Sequence, residues 1–409
     1  MIPIPGKRMT LVLLNRKLCL VIFSTIIFLL GHWPGLASAG SNGSSVDNSV
    51  SLEFIDSLWI KNFNHFGEWN VNTVVSGFGL TQTNPSPSNN SNLADVSNAM
   101  LIVEQRKGPI RLFAQFGYYD ILEIGQPDQR ANKQTVNTFG FLPQAYISFV
   151  PSQNWSLSIG KLPALGGYES SFSYQNINIE RGLLWSQTSS FSEGLQIDYK
   201  DGPFSAAFAW TDGFYSNQFN WLGGQVFYEL SQTQKVGVVW TGAISPNSYT
   251  SPNTPLLQNN SQIFNVLYEL SFRRWSFTPY LQYTFIPQNT SIGITQSSQT
   301  YGGALLMNYK FNLNENASLS GYQKVSLPLR FEYLQSSGTP GSNTSNPSYG
   351  PGSSAWTATF TPTIQYQKYF ARLEVSVIRI YQYSSGFGFG SNQQNSSQYR
   401  GILELGLMY

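Results

Sequence analysis

Residues 399–409 read YRGILELGLMY, with Tyr399, Gly401, Leu403, Leu405, Leu407 and Tyr409 at one parity and Arg400, Ile402, Glu404, Gly406 and Met408 at the other. Successive side chains of a strand point to opposite faces, so this stretch is a strand with one apolar surface and one mixed, more polar surface. Two structures use such a strand. One is the half-buried edge of a soluble β-domain, and the other is the wall of a membrane barrel.

The opposite end of the chain separates the two. Lys7, Arg8, Arg16 and Lys17 precede an apolar run from Leu18 to Leu30, and Ala37-Ser38-Ala39 offers small residues for cleavage. This is the pattern of a secretory signal peptide over residues 1–39, with Gly40 as the first mature residue. The apolar run has 13 residues, against the roughly 18 or more that a spanning helix needs. No later segment is apolar enough to span as a helix either. An exported chain that reaches a membrane without such a helix does so as a closed barrel, because only helices and barrels pair every backbone N–H and C=O in hydrocarbon.

Composition fits a barrel whose alternate residues face lipid: hydrophobic residues are 41%, aromatics 15%, charged residues 11%, and the mean hydropathy is −0.18. The formal charge of +2 includes the four basic residues of residues 1–39, and without them 19 basic face 21 acidic residues. Such a balance gives no footprint for nucleic acid. Cys19 is removed with the signal segment, which leaves no disulfide, no thiolate metal site and no thiol nucleophile. His32 is removed too, and His65 stands alone before the first strand, so no histidine-based catalytic constellation forms. We expect no cofactor, no metal and no enzymatic activity.

Gly, Pro, Asn and Asp clusters divide the remainder into alternating segments. Very short connections, clearest at Lys107-Gly108-Pro109, Ser152-Gln153-Asn154 and Asp201-Gly202-Pro203, alternate with long polar ones. Up-and-down barrels place short turns at the periplasmic rim and long loops outside. A first strand near 68–81 is followed by hairpins near 93–123, 142–163, 192–214, 222–244, 262–286, 300–336 and 355–383, and strand 399–409 closes the ring. The expected fold is an all-β, transmembrane antiparallel barrel of about sixteen strands over residues 68–409, preceded by a short periplasmic segment, 40–67. Fourteen or eighteen strands remain open, since Asn314–Gln323 reads either as strand or as a longer turn. Sixteen strands enclose an aqueous lumen.

The longest connection, ALGGYESSFSYQNINIERGLLWSQTSSF (164–191), is the third external loop. A connection of this length without regular structure is usually functional. Phe172, Tyr174, Ile177, Ile179 and Leu183 would be poorly solvated outside, which favours folding into the lumen over covering the mouth. Glu169, Glu180 and Arg181 then become candidates for a pore constriction, facing the wet-parity pair Arg330 and Glu332. Arg106, Arg111 and Arg372 share the wet parity as further lumen charges, the first two beside short turns and so near the periplasmic rim. Rings of fixed charge set ion preference in pores.

The runs GKLPALGGYE (160–169), NIERGLLW (178–185) and SEGLQIDYKDGPFSAAFAWTDGF (192–214) resemble the middle of the β-barrel porins of the OmpL-like type, the porin-2 family. That resemblance covers about Ala145–Phe214 and implies a passive outer-membrane channel. The closing strand likewise resembles the C-terminal assembly signal of bacterial outer-membrane barrels, with Leu405, Leu407 and Tyr409 as its apolar positions. The expected function is a porin for passive diffusion of small hydrophilic solutes, located in the bacterial outer membrane and exported by the general secretory route. Its expected partners are outer-membrane lipid, the barrel assembly machinery and, as porins imply, two further copies in a homotrimer. The alternative is a substrate-selective uptake channel or receptor, for example for a siderophore or sugar, lacking a plug domain because residues 40–67 are too few for one. A looser resemblance to plugless siderophore-uptake porins points the same way.

Overall fold

The computed structural model describes residues 52–54, 58–60, 68–87, 89–312, 323–342 and 346–409. The expected signal segment, His65 and nearly all of the Asn314–Gln323 connection lie outside the described residues. Strands follow one another in chain order around a closed sheet. They are β1 (Trp69–Gln82), β2 (Asn92–Gln105), β3 (Ile110–Tyr119), β4 (Gln144–Phe149), β5 (Trp155–Pro163), β6 (Phe191–Asp201), β7 (Phe204–Thr211) and β8 (Trp221–Ser231). The ring continues with β9 (Gln234–Ala243), β10 (Gln262–Phe272), β11 (Trp275–Ile286), β12 (Ser298–Asn312), β13 (Gln323–Ser336), β14 (Ser354–Phe360 and Thr363–Tyr366), β15 (Tyr369–Tyr381) and β16 (Ser397–Met408). Each hairpin falls within a few residues of its expected bounds. A short helix, α1 (Ala131–Asn137), lies in the second long connection.

β14 is one strand in two pieces, both paired with β13 and β15. Thr361 and Pro362 interrupt it, and a proline has no N–H to give to the ladder. The short turns carry the left-handed backbone that tight reversals need: Gly108 has φ +90° and Gly202 φ +53°.

Closure rests on the quoted strand. β16 pairs with β1 from Arg400 opposite Gln82 to Met408 opposite Val74. The last residue continues the ladder, since Thr73 N donates to Tyr409 O at 2.7 Å and Tyr409 N to Thr73 O at 2.9 Å. β1 runs on past that point, and there a three-residue strand, Leu58–Ile60, pairs with Trp69–Val71. It covers the edge that β16 leaves open, where unpaired N–H and C=O groups would otherwise face outward. The segment expected to be a plain periplasmic lead therefore contributes a short strand of its own.

The faces follow the parity. Tyr399, Leu403, Leu405 and Tyr409 are exposed on the outer wall, with Val75, Phe208, Trp210 and Val266, while Asn70, Asn72, Asn265, Arg400 and Glu404 are buried inside. Exposed rings collect at both strand ends: Phe149, Trp155, Tyr228, Trp275 and Tyr369 near the turns, and Trp210, Tyr283, Tyr301, Trp356 and Tyr381 toward the loops. Two such girdles mark the membrane interfaces of an outer-membrane barrel.

The third loop occupies part of the interior. Buried apolar side chains from opposite walls meet residues of the third loop in three clusters. The reason is the loop's own composition, because its aromatic and aliphatic side chains must be buried against something. A charge on the outer face of the closing strand provides a direct test. Leu405→Arg should cost ~2–4 kcal/mol if the residue sits near the bilayer midplane, and the heat-modifiable, folded species recovered from membranes should fall sharply. Normal folded yield would contradict the outward assignment of β16.

Candidate functional site

Residues 164–190 leave β5 and return to β6 through the barrel interior. Within them lie two short 3-10 turns, Ser173–Gln175 and Trp185–Gln187. Phe172, Tyr174 and Trp185 pack with Val74, Met100, Ile102 and Met408 on the β1–β2–β16 side. Ile179 joins Phe78, Leu80 and Ile402. Leu183 and Leu184 reach the other wall, packing with Leu267, Tyr280, Leu306 and Leu334. The loop therefore crosses the barrel from one wall to the other.

A crossing loop has no ladder partner, yet its backbone N–H and C=O groups still need hydrogen bonds. Three wall carboxylates take the loop's donors. Glu374 on β15 accepts from the N–H of Ile179 at 2.6 Å and of Glu180 at 2.9 Å. Glu332 on β13 accepts from Leu183 N at 2.9 Å and Leu184 N at 3.1 Å. Glu404 on β16 accepts from the Ser173 hydroxyl at 2.8 Å and the Ser76 hydroxyl at 3.0 Å.

Three wall guanidiniums supply the complementary contacts. Arg330 donates to the Glu169 carboxylate at 2.5 Å and to Glu180 O at 2.7 Å, and its Nε lies 3.2 Å from Glu332. Arg372 donates to Ser173 O at 2.9 Å and Asn176 O at 3.0 Å, and forms an ion pair with Glu404 at 3.3 Å. Arg400 donates to the Glu180 carboxylate at 2.7 Å, to Glu123 O at 2.9 Å and to Gln126 O at 2.7 Å, with Asp128 at 3.2 Å. Charge-assisted bonds of this kind are the strong class. The break in β14 enters the same network, since the Thr361 hydroxyl donates to Glu374 at 2.6 Å and accepts from Asn178 Nδ2 at 2.7 Å.

The structure thus brings together Glu169, Glu180, Arg330, Glu332 and Arg372. Arg181 is placed differently from a lumen charge. Its guanidinium turns back on its own loop, donating to Ser171 O at 2.7 Å, to Asn178 O at 3.3 Å and to Ile179 O. Burial lowers it to about 10. A side chain at Gly182 beside it would have to displace both the Glu169 and the Glu332 carboxylates, which an added Cβ would strike. Arg106 and Arg111 remain at the turn rim, Arg106 paired with Glu104 at 2.6 Å and Arg111 exposed.

Sequence parity did not single out Glu374, although it shares the face of Arg372. It gave no sign of Asp128 or Glu123, which belong to the second long connection. That connection runs beside the third: Glu123 and Arg181 form a parallel bridge, with Ile124 N donating to Arg181 O at 3.1 Å and Arg181 N to Leu122 O at 2.7 Å. Residues 52–54 enter from the turn side. Glu53 N donates to the Gln365 side chain at 2.9 Å, Lys324 pairs with the Glu53 carboxylate, and Phe54 meets Tyr174 edge-on at 6.3 Å.

Glu180, Arg181 and Arg330 are 0% exposed. Glu180 and Arg330 meet at a loop-to-wall contact and Arg181 is bonded within the loop, so none of the three lines open water. A cavity of about 570 Å³ lies on the loop side, between the third loop and the neighbouring long connections.

OmpT expressed in the outer membrane of Vibrio cholerae has a similar structure, at 10% identity over 86% of this chain and 100% of that one, with a TM-score of 0.52. So does the outer-membrane channel DcaP of Acinetobacter baumannii, at 10% identity over 84% of this chain and 97% of that one, with a TM-score of 0.51. OmpF of Salmonella typhi, solved with daunomycin, gives 13% identity over 86% and 100%, with a TM-score of 0.51. At such identities the likeness concerns the fold. No curated protein matches the sequence. The family comparison covers nearly the whole barrel and its lead, residues 55–409, and so the chain belongs to the beta-barrel porin-2, OmpL-like family and is a porin of the outer membrane.

Proposed function

We propose that this porin passes small hydrophilic solutes passively, and that residues 164–190 set the cross-section of the path. The observation that carries the reading is the loop held inside the barrel by contacts from β13, β15 and β16. The network has six carboxylates (Asp128, Glu169, Glu180, Glu332, Glu374 and Glu404) against four guanidiniums (Arg181, Arg330, Arg372 and Arg400). A surplus of negative charge at low effective dielectric favours cations over anions. Export follows the general secretory route and insertion uses the barrel assembly machinery. The polar groups are engaged in holding the loop, so transport without catalysis is the reading. The tight filling also supports the second reading, a substrate-selective channel in which solutes are sorted before they pass.

We further propose that the wall at β3–β5 packs against other copies, as a homotrimer. β4 has 6 residues, whereas a transmembrane strand needs about 9–11. Beyond it the chain runs irregularly through residues 140–143, where Phe141 and Leu142 are exposed. Irregular backbone does not face lipid, but tolerates burial in protein. A dent of about 470 Å³ on this wall is lined by Leu112, Ala114, Ala145, Ile147 and Ile159 among others.

Two measurements test these readings. Deleting residues 170–178 should enlarge single-channel conductance, and Glu180→Gln should move the reversal potential under a salt gradient toward anions. Charges more than ~8 Å from an ion path are largely screened at physiological salt, so an unchanged potential would place the path away from Glu180. For the wall, Ala145→Trp fills the dent without adding charge and should convert detergent-resistant oligomers to monomers, while Val266→Trp on β10 should not. Equal oligomer yield from the two would remove the β3–β5 contact.

A further inference from the structure

The cavity on the loop side has an unusual lining. Its walls come from the first three and later long connections, and among the described residues Glu123 is its one charged side chain, set among amides, hydroxyls, prolines and rings. The Glu123 backbone is held firmly: its carbonyl accepts from Arg400 at 2.9 Å and its segment bridges to Arg181. The carboxylate itself makes no hydrogen bond or salt bridge among the described residues. The two nearby guanidiniums are engaged elsewhere, Arg181 on its own loop's carbonyls and Arg400 on Glu180 and Asp128. Burial pushes the Glu123 carboxyl up to about 7, with Arg181 and Arg400 offsetting part of that rise and Glu169 adding to it.

Residues of the same cavity hold further polar atoms without a partner among the described residues. The Tyr349 hydroxyl is buried without a hydrogen-bond partner, on a residue 6% exposed, and Glu123 is among the charges that act on it. Asn253 Nδ2 and Asn346 Nδ2 are likewise unpartnered. Buried polar atoms are rarely left unpaired, and each such group calls for an explanation. The lining residues thus hold one carboxylate acceptor, one hydroxyl and two amide donors around a space of about 570 Å³, the last three being closed off from solvent and reached by a ligand only when their side chains turn. An ammonium group suits the carboxylate and hydroxyl, whereas ligand hydroxyls suit the amide donors. A metal ion is a poor fit, since no group of three or more metal-ligating side chains occurs among the described residues.

We propose that this vestibule is a binding site for a hydroxylated primary amine, with Glu123 holding the ammonium and Tyr349, Asn253 and Asn346 the remaining polar groups. The site rests on the porin reading only in treating the cavity as the entrance. There it concentrates cationic solutes ahead of the surplus carboxylates of the inserted loop.

The test compares glucamine with its neutral isostere sorbitol, by calorimetric titration into the detergent-folded protein at pH 8. At that pH an alkylamine carries its charge. Wild-type protein should bind glucamine about tenfold or more tighter than sorbitol, and Glu123→Gln, checked for folding by its heat-modifiable mobility, should bring glucamine down to the level of sorbitol. Equal binding of the two polyols by wild type overturns the proposal, and so does undiminished glucamine binding by Glu123→Gln. Liposome swelling in sorbitol separates the two claims: a protein that binds glucamine but admits no sorbitol keeps the site and loses passive diffusion, and one that admits sorbitol with no preference for glucamine keeps the pore and loses the site.

Discussion

A peptide segment inside a barrel must find partners for its backbone away from any strand, and this requirement organises the interior. The wall meets it with ionised side chains. Glu332, Glu374 and Glu404 accept from the loop, and Arg330, Arg372 and Arg400 donate to it. The arrangement fixes both position and direction, because a carboxylate can serve only donors and a guanidinium only acceptors. Removing one partner of such a buried pair typically costs roughly 3–5 kcal/mol, since the other charge stays behind unpaired.

The same groups explain how charged residues can line a membrane protein without facing lipid. On β15, Arg372 and Glu374 point inward while Leu373 and Val375 are exposed outside, and on β16 Arg400 and Glu404 alternate with Leu403 and Leu405 in the same way. Period-two alternation lets one strand satisfy hydrocarbon on one side and a polar interior on the other. Apolar clusters within the lumen then depend on the loop, whose Phe172, Ile179 and Leu184 give inward-facing Val74, Phe78 and Leu334 something to pack against.

Much of this was legible in the sequence, for reasons that differ by level. Strands and turns could be read because alternation and turn chemistry are local, and the strand boundaries at Asn92–Gln105 or Gln262–Phe272 follow from the residues between their own turns. The inward course of residues 164–190 was legible from their apolar content. Partner choice was not. Parity says that Glu374 faces inward but not that it meets the N–H of Ile179, because depth depends on strand tilt and on the path of a loop from the far wall. Arg181 misleads for a related reason: its charge suggests a lumen contact, yet its nearest acceptors are carbonyls of its own loop. The strand Leu58–Ile60 and the docking of residues 52–54 depend on where β16 stops relative to β1, which no local pattern records.

An apolar seam could have held the loop just as well once in place, so the use of charges needs a further reason. Charged groups such as Arg330, Glu332 and Arg372 are compatible with water as well as with the loop, whereas a purely apolar seam would be satisfied only by the loop. In the seated loop the backbone stands where water would otherwise solvate these groups, an exchange that is nearly balanced because hydrogen bonds are traded rather than gained. What remains unbalanced is charge. Six carboxylates against four guanidiniums share the contacts that seat the loop, and Glu123 lines the outer vestibule with its carboxylate making no hydrogen bond among the described residues. On the proposed reading, the contacts that seat the loop also set which sign of solute the entrance attracts.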